Sequence, residues 1–132
     1  MNAFDNQPID PSSFAWRDLL GIDRWESFTV VASLTEVGTP TLTGRYHDVG
    51  RQCFFQVEID PDTSIASTAG THYVELPKTA GGIGGVATMT NGTTNIAVGV
   101  CHVDVATSRC YLPAQAASGN TFVVAGWFEI GE

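Results

Sequence analysis

From Ser27 onward the chain alternates. Apolar and polar residues trade places with a period of two, and glycine, proline, asparagine or aspartate interrupts the pattern at roughly ten-residue spacing. After Glu26 no stretch carries apolar residues at helical spacing over a useful length. A chain written this way folds as antiparallel strands joined by tight turns, and so as a β-sandwich or barrel.

The strands can be placed from their punctuation. Ser27–Thr35 is apolar and β-branched, and Gly38-Thr39-Pro40 ends it. Thr41–His47 follows, and Asp48–Gly50 is read as a three-residue hairpin loop with a bulge at the glycine. Gln52–Ile59 then sets Cys53, Phe55, Val57 and Ile59 on one face and Gln52, Phe54, Gln56 and Glu58 on the other. Thr71–Leu76 stops at Pro77, Val86–Thr90 at Asn91-Gly92, and Arg109–Leu112 at Pro113. Asn95–Val105 is the longest strand. Asn120–Ile130 is the most apolar and is therefore expected at the centre of a sheet. The expectation is an all-β, jelly-roll-like β-sandwich of about eight antiparallel strands. Val74-Glu75-Leu76-Pro77 and Cys110-Tyr111-Leu112-Pro113 echo one another and read as two corresponding corners of the sandwich.

The first 26 residues are written differently. They hold Pro8 and Pro11 and little alternation, so the chain divides into an N-terminal extended arm, 1–26, and a β-sandwich domain, 27–132. Ser12 or Ser13 can cap a short helix that Gly21 closes. At about two turns it is not stable alone. The arm nevertheless carries Phe14, Trp16, Leu19, Leu20, Ile22 and Trp25. Left in water, these side chains would form a sticky patch, so they pack on their own domain or on another chain.

Charge narrows the function. Fourteen acids against six bases give a net charge of −8, which opposes binding nucleic acid through its phosphates. No apolar run reaches the length of a spanning helix, and the N-terminus shows no basic or apolar leader, so neither a membrane nor export is expected. Cys53, Cys101 and Cys110 lie among β-forming neighbours and read as buried, reduced thiols.

His102 and Asp104 share one strand face, but two more ligands would have to come from His47 or His72 across the sheet. There is no G-x-S-x-G elbow, and the acids Glu58, Asp60, Asp62 and Glu75 read as strand ends and turn caps. The run Gly81-Gly82-Ile83-Gly84-Gly85 lacks the Lys and Ser/Thr of a phosphate loop and precedes a strand; it reads as a mobile loop or a close approach to neighbouring backbone. Asn91-Gly92-Thr93 reads as a tight turn. The expectation is therefore no enzyme, no cofactor and no metal.

Several pieces taken in order resemble small virion proteins of tailed bacteriophages. They are Trp25-Glu26-Ser27-Phe28-Thr29, Gly38 through Tyr46, Val49-Gly50-Arg51 with Phe54-Phe55, Ala69-Gly70-Thr71 with Leu76-Pro77, Asn91-Gly92-Thr93-Thr94, Tyr111-Leu112-Pro113 and Gly126-Trp127-Phe128-Glu129-Ile130. The resemblance covers about residues 25–130 and implies a jelly-roll virion component, often oligomeric. It implies a capsid decoration (cement) protein that bridges major capsid subunits on the outer surface of the head, or else a receptor- or glycan-binding module of a tail or head fibre. The chain has no heptads or shaft repeat, which favours the former. Its partners would be the major capsid protein and further copies of itself, a trimer being favoured over a dimer at threefold lattice sites. The arm residues Phe14, Trp16, Leu19, Leu20, Ile22 and Trp25 would make the contacts. For the glycan alternative, Tyr46, Tyr73 and Asp62 are the candidates.

Overall fold

The computed structural model describes residues 25–131. It contains twelve strands: β1 (Glu26–Phe28), β2 (Ala32–Ser33), β3 (Thr35–Val37), β4 (Thr41–Val49), β5 (Gln52–Asp60), β6 (Ser64–Ser67), β7 (Tyr73–Glu75), β8 (Ala80–Asn91), β9 (Ile96–Asp104), β10 (Arg109–Tyr111), β11 (Gln115–Ser118) and β12 (Phe122–Ile130). No helix occurs among the described residues. The expected short arm helix lies outside them, as do arm residues Phe14, Trp16, Leu19, Leu20 and Ile22.

Nine strands form one sheet in the order β1-β4-β5-β12-β8-β9-β10-β7-β2, and three form a second, β11-β6-β3. All pairings are antiparallel. The all-β class is as expected; the strand count is twelve rather than about eight, divided nine and three.

The large sheet must curl. Laid flat, its two edge strands would stand about 38 Å apart, at about 4.8 Å per strand. Yet those edges, β1 and β2, are joined through residues 29–31 alone. That connection spans at most about 14 Å. The sheet therefore rolls until its edges come close, and Glu75 N donates to Val31 O at 2.8 Å, carrying the β7–β2 pairing back into the connection. This explains why Ser27–Thr35 is not one strand: the same residues serve one sheet edge, then the other, and then enter the second sheet.

The interior of the roll is the core. Cys53, Val57 and Ile59 of β5 have no exposed surface, nor do Phe122, Val124 and Phe128 of β12. Phe55 meets Phe128 with ring centroids 5.8 Å apart. Strand β12 lies between β5 and β8, at the centre of the sheet, as its composition suggested.

Three local readings are corrected. Val49 pairs with Gln52, so the hairpin loop is Gly50-Arg51 rather than Asp48–Gly50. Gly50, at φ +60°, takes the first loop place, which suits the twist of the flanking strands. The glycine run is no loop; it lies inside β8. Between the pairs Phe128↔Gly85 and Ile130↔Ala80 the strand bulges, with Gly82 at φ +59° and Gly84 at φ +88° on either side of exposed Ile83. Close backbone approach, the other expectation for this run, holds at Gly85, where a Cβ would collide with the Trp127 carbonyl oxygen. Finally, the two Leu-Pro echoes are not separate corners: β7 and β10 pair directly, with Cys110 opposite Val74.

The turn at Asn91 is as read. Its Oδ1 accepts from Thr93 N at 3.0 Å and Thr94 N at 3.1 Å.

Candidate functional site

The alternation that buries one face of each strand turns the other face to solvent. Register then decides which outward residues become neighbours. Glu26 pairs with Tyr46, which sets Trp25 beside His47, their rings 5.8 Å apart. His47 pairs with Phe54, Phe54 with Trp127, and Trp127 with Val86. The next strand places His102 one position beyond the Ala87↔Cys101 pair; His102 pairs with Tyr111, and Tyr111 with Tyr73. Seven ring-bearing side chains thus stand in one row across the outside of the roll, interrupted by Val86, which is 53 % exposed. Side chains directly opposite in a sheet are about 5 Å apart, so such a row is close to continuous.

The row has two halves. In the first, Trp25 is 41 % exposed, and the Arg45 guanidinium lies 4.9 Å from its ring centre. Arg45 Nε also donates to Gln56 Oε1 at 2.7 Å, which fixes the guanidinium. Below lies a groove of about 470 Å³. Ala125 and Gly126 are among its lining residues, and their small size leaves Trp25 and Phe54 standing as walls.

In the second half, Tyr73 and Tyr111 meet edge to face at 5.6 Å, and His102 lies near-parallel to Tyr111 at 6.4 Å. Arg109 sits 4.0 Å over the Tyr73 ring. In register with Arg109 are Asp104 on one side and Glu75 on the other. An adjoining groove of about 350 Å³ runs past Tyr111 to Val100, Gly70 and Pro113.

Away from the row, chemistry is subdued. Lys78 Nζ donates to Asp48, and Tyr46 donates its hydroxyl proton to Glu26 Oε2 at 2.6 Å. The Glu26 carboxylate beside it raises the Tyr46 phenol above its ordinary value. The three thiols are buried and free. Burial and the neighbouring Asp48 push the Cys53 thiol up to about 12, which removes its nucleophilic form at neutral pH.

The residues singled out from sequence separate in space. His102 and Asp104 do share the outer face, but Asp104 caps the following turn, accepting from Thr107 Oγ1 at 2.6 Å and Ala106 N at 3.3 Å. His72 Nδ1 accepts from Thr68 N at 2.8 Å. Among the described residues no three His, Cys, Asp or Glu side chains gather as a metal site. Of the glycan candidates, Tyr46 packs toward the core and Asp62 lies against Gly38; Tyr73 alone joins the outer row. Of the arm residues only Trp25 is described. Phe54, Trp127 and Tyr111 went unmarked as site residues, and His102 was weighed only as a metal ligand, because alternation shows that each points outward but not that they align.

Compared with known protein families, curated proteins and solved structures, the chain matches none.

Proposed function

We propose that this protein is a structural component of a tailed-bacteriophage virion: a capsid decoration (cement) protein with a jelly-roll-like body that bridges major capsid subunits on the outside of the head. The observation that carries the reading is the position of Trp25. It stands where the apolar arm joins the body, against His47, with Phe54 and then Trp127 following on the next two strands, so an aromatic surface begins at the point where the arm enters the sheet. Aromatic residues supply large contact area at modest entropic cost and are the usual anchors of interfaces. A partner that binds only the assembled lattice stabilises it by mass action. The resemblance of residues 25–130 to small phage virion proteins supports the same reading, and the net charge of −8 suits a surface facing away from packaged DNA.

The test is occupancy on particles. Isolated shells are mixed with the full chain or with a chain lacking residues 1–24, and bound copies are counted by electron microscopy. The full chain occupies defined lattice sites and the shortened chain leaves them empty. Equal occupancy by both rejects the arm's role, and no lattice binding by the full chain rejects the function.

A further inference from the structure

We infer that the second half of the aromatic row, Tyr73, Tyr111 and His102 with Arg109 and Glu75 beside them, is a binding platform for a neutral saccharide chain, separate from the surface that would hold the shell.

The first argument is shape. The three rings are set by strand register rather than by loops, and each leans on the next at 5.6 Å or 6.4 Å. Such rings keep their orientation without a ligand, so little ordering entropy opposes binding. They stand on three neighbouring strands, along a line crossing the sheet. A line of rings fits a chain of sugar units better than a single compact molecule. The groove alongside is open and has small or flat walls at Gly70 and Pro113, so Tyr111 and His102 border open space, while the Arg109 guanidinium lies over Tyr73.

The second argument is chemical pairing. A pyranose ring has an apolar C–H face and an edge of hydroxyls. Aromatic faces take the former; planar charged groups, which bond two neighbouring hydroxyls at once, take the latter. The row next to the rings supplies Glu75 in register, and Arg109, whose guanidinium lies over the Tyr73 ring at 4.0 Å and extends the planar surface there. Asp104, third in that row, is held by its turn and contributes charge alone.

The third argument is sign. Arg109 stands in strand register between Asp104 and Glu75, on a chain of net charge −8. An anionic polymer would be repelled on approach and would find the cation already neighboured. An uncharged glycan carries no such penalty.

The experiment is a titration of the isotope-labelled full chain, followed by amide shifts, with maltohexaose, cellohexaose, xylohexaose and N-acetylchitohexaose, and with a hyaluronan hexasaccharide as the anionic arm. At least one neutral chain is expected to bind, moving the resonances of Tyr73, His102 and Tyr111. Tyr111→Ala and Tyr73→Ala each weaken that binding about tenfold, the loss of one good ring contact. Tyr111→Phe, which keeps the ring face, and Ile96→Ser, on a distant exposed position, leave it within about twofold. No saturation by any neutral chain up to about 10 mM overturns the inference. So does binding by the anionic chain alone, or a shift pattern centred on Phe54 and Trp127. The titration needs no particles, so its failure and failure of the shell reading are told apart.

Discussion

Val74 and Cys110 lie directly opposite each other on β7 and β10, neither with any exposed surface, and the strands bond symmetrically about them. Leu76 N donates to Ser108 O at 3.0 Å, and Leu112 N donates to His72 O at 2.9 Å. Each bond joins the residue two beyond one centre to the residue two before the other. In both strands a proline follows the leucine, lacks an N–H, and ends the pairing at the same distance from the centre. The repeated Leu-Pro phrase is the trace of a local two-fold arrangement.

That symmetry is not equal in burial. Leu112 is 1 % exposed and Leu76 9 %. Leu112→Ala is expected to cost about 2–5 kcal/mol, with Leu76→Ala toward the lower end. Urea midpoints of the two variants check the order; equal or reversed losses would contradict the packing described.

Gly126 sits in β12 where a Cβ would run into the Val86 carbonyl oxygen and the Ala87 backbone. Gly126→Ala is expected to lose about 3 kcal/mol, the upper range for forcing atoms into a packed site. At Gly50 a Cβ meets nothing, so Gly50→Asn costs only the strain of its positive φ, about 1 kcal/mol. Thermal melts of the pair test the contrast.

Removing residues 122–132 deletes the strand between β5 and β8 together with the buried Phe122, Val124 and Phe128. Each of those side chains contributes about 2 kcal/mol or more, against a total stability of about 5–15 kcal/mol. The shortened chain should show no dispersed amide spectrum. A folded product would mean that β12 is dispensable.

Alkali should weaken the fold through Cys53. Unfolded, its thiol ionises near 9.0; burial and then Asp48 hold it protonated up to about 12. Between those values the folded state binds more protons, so stability is complete below pH 9 and falls as pH rises toward 12, by at most about 1.4 kcal/mol per pH unit for one group. Cys110, raised by Cys101 and by burial, acts in the same direction. The Cys53→Ala chain should show a shallower decline between pH 9 and 10.5, read from urea midpoints; an identical slope would assign the effect elsewhere.

Trp25→Ala removes an exposed ring and its contact with Arg45. The expected stability loss is below about 1 kcal/mol, as for other exposed cation–π pairs. Occupancy on shells should nevertheless drop about tenfold or more, the mark of a binding anchor. A large loss of stability with unchanged occupancy would make Trp25 a fold residue.

Local chemistry by itself determined the strand class, the inward set Cys53, Phe55, Val57 and Ile59, the turn at Asn91 and the central place of the last strand. Each of these follows from alternation or from a turn residue acting on its immediate neighbours. Tertiary structure alone decided how far the sheet curls, because that depends on which strands become edges and on the short span at residues 29–31 that joins them. It also decided that Trp25, His47, Phe54, Trp127, His102, Tyr111 and Tyr73 share one row. Alternation says which way a side chain points; the residue it meets is set by register between strands far apart in the chain, and a slip of one position in any pairing would have turned part of that row inward.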